Sequence, residues 1–117
     1  MLLAWRDPHL QARCERRASL ELAVGSSVGD VLDLLTVVAE TDPLAVLLRF
    51  SSVRFTVHTG ALDMTLGSAR LRSRLLTDAG RPIPVSGTSD LRDHAAATAL
   101  VVDDLAVQGH SLSRLAG

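Results

Sequence analysis

The sequence predicts an α+β domain, with an N-terminal strand and a helical hairpin packed on a small antiparallel β-sheet. Three observations predict it. Apolar residues recur at helical spacing in the first half, at Val28, Val31, Leu32, Leu35 and Val38. From residue 53 the period changes to two: Val53, Phe55 and Val57 alternate with Arg54, Thr56 and His58, and Leu62, Met64 and Leu66 with Asp63 and Thr65. Tight turn signals, Thr59-Gly60 and Gly67-Ser68, join these runs in the manner of an antiparallel meander.

Taken in order, Leu2-Leu-Ala-Trp5 reads as a short first strand. Asp7-Pro8 marks a helix start: aspartate caps free backbone N–H groups, and proline needs no donor at the first helical position. A helix follows over residues 8–22, with Leu10 and Cys14 on its apolar side, and Gly25 ends it. Ser27 is placed to cap a second helix, with Asp30 in a capping-box position. Thr41-Asp42-Pro43 stops that helix, and a shorter one restarts through Leu48. The meander then runs to Leu76. Residues 78–94, rich in Gly, Pro, Ser, Thr and Asp, form a loop. Residues 97–107 are apolar enough for a buried strand and alanine-rich enough for a helix, and the β-branched cluster favours a strand at Thr98–Asp103. The tail through Gly117 ends in a helical turn or frays.

At 117 residues the chain makes one domain, residues 1–117. Aromatics are 3% of residues and tyrosine is absent, so Leu, Val and Ala build the core. Stacking platforms for unpaired bases are nearly excluded, and Trp5, Phe50 and Phe55 are expected to be buried. Cys14 is alone, so an intrachain disulfide and a cysteine-based zinc cluster are both excluded, and the four histidines lack metal-ligand spacing. No metal or cofactor is expected. The apolar N-terminal run is too short for a signal peptide, and no apolar run approaches the ~20 residues of a membrane span. A cytoplasmic protein with no membrane partner is the expectation.

The net charge of −1 argues against strong nonspecific nucleic-acid binding. Charge is nonetheless segregated. Residues 1–45 hold four Arg and seven acids, residues 46–81 six Arg and two acids, and residues 82–117 two Arg and four acids. Within the basic middle, Arg70, Arg72 and Arg74 alternate with Leu71, Ser73 and Leu75. On a strand, the three guanidiniums share one face. There is no lysine, so arginine carries every fixed side-chain cation, and its planar fork suits phosphate and carboxylate. This face is a candidate phosphate-binding surface, and equally a solvated strand face.

The order of elements and several segments resemble the RelE/ParE toxin superfamily, in particular its HigB-like, or plasmid maintenance killer, branch. The resemblance rests on Leu3-Ala-Trp-Arg-Asp-Pro-His-Leu10 with Cys14-Glu-Arg-Arg17, on Gly60-Ala-Leu-Asp-Met-Thr-Leu66, on the arginine strand from Ala69, on Thr98-Ala-Leu-Val-Val, and on Val107-Gln-Gly-His110. It implies a toxin that cleaves mRNA on ribosomes and is held by a cognate antitoxin. In that chemistry a 2′-hydroxyl attacks the adjacent phosphate, so a cation and an acid–base pair are needed. The resemblance implies His110, Arg72 and Arg74 as the catalytic set and Arg54, His58 and Arg70 as RNA-binding residues. The chain departs from the family in lacking tyrosine and lysine and in placing Gln108-Gly109 before the terminal histidine. These departures imply the alternative of a catalytically degenerate interaction domain that binds an antitoxin or other partner without cleaving RNA.

Overall fold

The computed structural model describes residues 1–58 and 60–112. The tail at 113–117 and Thr59 of the first turn lie outside them. In chain order the elements are β1 (Leu2–Trp5), α1 (Pro8–Glu15), α2 (Arg17–Val24), α3 (Val28–Glu40), α4 (Leu44–Leu47), β2 (Arg54–His58), β3 (Ala61–Leu66), β4 (Ala69–Leu76), β5 (Ala99–Val107) and β6 (His110–Ser111). The sheet runs β1-β5-β4-β3-β2, with β6 beside the C-terminal end of β5. The meander is antiparallel as expected, whereas β1 lies parallel to β5, so the sheet is mixed. The fold is α+β, with α3 packed on β3 and β4.

Asp7 caps α1 by accepting from the backbone N–H of His9 at 2.9 Å. The single helix expected over 8–22 is instead two, broken at Arg16, where ψ is 111°. Leu10 of α1 and Leu20 of α2 are both fully buried. Ser27 lies in a 3-10 turn (Gly25–Ser27) and makes no side-chain cap, and Asp30 closes no capping box. Its carboxylate instead accepts from the backbone N–H and the hydroxyl of Ser68, at 2.9 and 2.7 Å, tying α3 to the β3–β4 turn.

The stretch Arg17–Glu40 is long and apolar enough to meet the length and hydropathy of a membrane span, with an 18-residue window of mean hydropathy 1.6. Gly25, at φ 59° and ψ −127°, breaks it into α2 and α3. Each piece is shorter than the ~20 residues a span needs. Val31, Leu34 and Val38 of α3 point into a core filled by Leu47, Leu62, Met64, Leu71, Leu75, Leu100 and Leu105. The aromatics are peripheral: Trp5 and Phe55 are half-buried and Phe50 is exposed, correcting the expectation that all three are interior. Strand β5 runs four residues past the expected Asp103. The loop before it is anchored by buried Val85 and Leu91 and contains a 3-10 segment at Thr88–His94.

The Asp30–Ser68 tie yields two expectations. Gly67 sits at φ 58°, and a Cβ added there would fall 2.5 Å from Asp30 Oδ2. Gly67→Ala should therefore destabilise by about 1–3 kcal/mol in urea unfolding. The Ser68 bonds hold the Asp30 carboxyl below its ordinary value. Its contribution is thus present above that ordinary value and lost as pH falls through the lower, folded one. The stability gap between wild type and Asp30→Asn should be full at neutral pH and close as pH drops below about 4.

Candidate functional site

Strand β4 alternates as its sequence requires. Ala69, Leu71, Ser73 and Leu75 are buried beneath the helices, and Arg70, Arg72 and Arg74 stand on the opposite, outer face. Residues paired across an antiparallel ladder share a face, so the register builds this surface in rows. One row runs Arg54, Thr65, Arg70, Ala106, and the next Thr56, Asp63, Arg72, Asp104. His58, paired with Ala61, and Arg74, paired with Val101, occupy the row beyond.

Arg72 and Arg74 are already ion-paired, though both side chains stay partly exposed. Arg72 donates through Nε and Nη2 to both carboxylate oxygens of Asp63, at 2.9 and 3.0 Å, a bidentate pair. Asp63 is buried, and its bond reinforces the protonation of the guanidinium. Arg74 donates to Asp103 at 2.8 Å, and Arg6 lies 3.8 Å from the same carboxylate. A β-bulge between Arg72 and Ser73 inserts Asp103 as an extra residue of β5. It brings both Asp103 and Asp104 up beside the arginines. Asp104 in turn accepts from the Ser111 hydroxyl at 2.6 Å.

The expected catalytic set is not brought together. His110 pairs with Val107, a core residue that also pairs with Ala69, so His110 belongs to the helix side of the sheet. It lines a cleft of about 350 Å³ with Ala23, Ser27 and Leu112, across the sheet from Arg72 and Arg74. A tight turn places it: Gln108 and Gly109 both have positive φ, closing a two-residue hairpin. His58 does share the arginine face, exposed on edge strand β2 and two strands from Arg74. Of the expected RNA-binding residues, Arg54 and Arg70 share one row and make no ion pair with a described residue. Among the described residues no cluster of His, Cys, Asp or Glu could hold a metal.

A second feature lies at the other edge. In β1 the N–H groups of Leu2 and Arg6 bond to Thr98 and Val102 of the β5 side. By strand alternation, the N–H and C=O groups of Leu3 and Trp5 face outward. Their side chains line an open cleft of about 260 Å³ with Cys14, Leu32 and Leu35, and Glu15 and Glu40 also border it. Leu2 beside it is 74% exposed. Burial pushes the Cys14 thiol up to about 11, with Glu15 adding to the shift and Arg13 opposing it.

The chain matches no protein-family model, no curated protein and no solved structure.

The counter-ions Asp63 and Asp103 shape this face, and composition alone does not reveal them. For Asp63 a signal exists: the Gly67-Ser68 turn pairs Leu66 with Ala69, and counting back three residues on each strand puts Asp63 opposite Arg72. Asp103 depends on the bulge and has no such signal.

The Arg72–Asp63 pair is unequal, with side-chain exposures of 37% and 9%. Arg72→Ala strands a nearly buried carboxylate and should destabilise by about 2–3 kcal/mol. The double variant Asp63→Leu/Arg72→Leu should recover most of that loss in the same chemical denaturation assay. Iodoacetamide should alkylate Cys14 at pH 8 at least about tenfold more slowly than a free peptide thiol, because burial leaves little thiolate.

Proposed function

We propose that this chain is a RelE/ParE-like scaffold without ribonuclease chemistry, acting as a binding domain for a partner protein segment of the antitoxin kind. The observation that carries the reading is the pairing of the central arginines. Arg72 and Arg74, the cations needed to stabilise a phosphorane-like state, already hold Asp63 and Asp103. An RNA phosphate would have to compete with a buried carboxylate for the Nε–Nη2 edge of Arg72. The acid–base candidate His110 is on the other side of the sheet. The element order, with a first strand parallel to the last long one and helices on one face, supports the family resemblance. The lone Cys14 is consistent with a cytoplasmic location.

The β1 edge is the surface best suited to the partner. Edge strands are ordinarily blunted by charge, proline or a bulge. Strand β2 carries Arg54 and His58, whereas β1 is Leu-Leu-Ala-Trp. An extended segment added there would satisfy the outward backbone groups of Leu3 and Trp5 and set alternate side chains into the cleft between β1 and α3. With Glu15 and Glu40 on that cleft, the positions of the segment that face it are apolar, with a basic residue among them to meet the carboxylates.

Expression in bacteria tests the absence of nuclease action. Growth should continue and ribosome-bound mRNA should stay intact; arrest that Arg72→Ala or His110→Ala relieves would overturn the reading. Trp5 is the sole tryptophan and reports the edge. An extended peptide with valine at alternate positions, one of those valines replaced by arginine, and threonine between them should shift its emission saturably, and Leu3→Glu should weaken that binding at least tenfold.

A further inference from the structure

We propose that Arg54, Thr65 and Arg70 form a site for a single dianionic phosphate group, carried either as free phosphate or as the terminal phosphate of a nucleotide. This goes beyond the partner-binding reading and uses a different part of the surface. The three residues lie in one cross-strand row, Arg54 opposite Thr65 and Thr65 opposite Arg70. Two strand spacings separate the arginines, about 10 Å between backbones. From the two strands that flank Thr65, both arginine side chains are long enough to reach over it. Both are exposed, and neither is paired with a described carboxylate.

The uncompensated charge has a shape. A cleft of about 260 Å³ opens at this end of the face, lined by Ser52, Arg54, Thr65 and Gly67. Ser52, Thr65 and Arg54 therefore border one hollow, and Arg70 stands on the next strand, opposite Thr65. Beneath the Gly67-Ser68 turn, the Asp30 carboxylate is engaged by Ser68. Two fixed positive charges match a phosphate monoester, whose three terminal oxygens can take a guanidinium fork from either side and a hydroxyl between. A phosphodiester offers one charge and two free oxygens. A run of diesters would also need cations along the sheet, but the adjacent row is closed by the Arg72–Asp63 pair. The site thus suits one phosphate rather than a polyanion.

Amide NMR titration at constant ionic strength tests this, with inorganic phosphate, adenosine 5′-monophosphate, and a short oligoribonucleotide lacking terminal phosphates as probes. Saturable shifts at Thr65 and Gly67 are expected with at least one of the first two. Binding at least tenfold tighter for the nucleotide assigns the group to a nucleotide; equal binding assigns free phosphate. Arg54→Gln and Arg70→Gln should each weaken the binding at least fivefold, and Thr65→Ser should retain what Thr65→Val loses. Arg81→Gln, in the loop after β4, should bind as wild type. The proposal is overturned if neither phosphate probe saturates, if the oligoribonucleotide binds as tightly, or if Arg81→Gln weakens binding as much as Arg54→Gln.

Discussion

Strand β4 carries three guanidiniums on one side and Ala69, Leu71, Ser73 and Leu75 on the other, and the register of the sheet follows from keeping those sides apart. A slip of one residue would drive Arg70, Arg72 and Arg74 beneath the helices and expose the leucines. The strand is central, paired with β3 and β5 along nearly its whole length. Even its one small polar core residue is satisfied, since the Ser73 hydroxyl donates to the Leu62 carbonyl at 2.9 Å. The neighbours then supply what the arginines need. Asp63 from β3 and Asp103 from the β5 bulge make the middle of the outer face a closed ion-pair lattice rather than an open cationic surface.

That lattice divides the molecule into surfaces with different chemistry. The central rows are neutral and self-satisfied. At the β2 end, Arg54 and Arg70 retain unspent positive charge around Thr65. At the β1 end, charge gives way to unpaired backbone and apolar side chains next to α3. The proposed phosphate site and the proposed docking edge thus occupy separate places, toward opposite ends of one sheet. The single net charge of −1 conceals this, because the acids that neutralise the basic middle come partly from β5, far along the chain.

Much of the architecture was legible because it rests on local rules. Period-two alternation located β2, β3 and β4 within a residue, since a half-buried strand must alternate. Asp7-Pro8 located the start of α1 through its capping chemistry. What failed depended on distant partners. The first helix splits at Arg16, with Leu10 and Leu20 buried on either side of the break. Asp30 abandons its local cap because a turn 38 residues away offers two donors. His110 was assigned to the arginine surface by its place in a resemblance, but Gln108-Gly109 closes a hairpin that carries it to the helix side.

The sequence by itself determined which side chains share a strand face, because backbone geometry fixes side-chain direction from residue to residue. It therefore determined that three arginines stand together and that the core is aliphatic. Only the tertiary structure decided which of those arginines are free. An ion pair depends on which carboxylate the neighbouring strand presents, and here that was set by the register of one hairpin and by one extra residue in β5. Charge is written in the chain, whereas its neutralisation is a property of strands packed side by side.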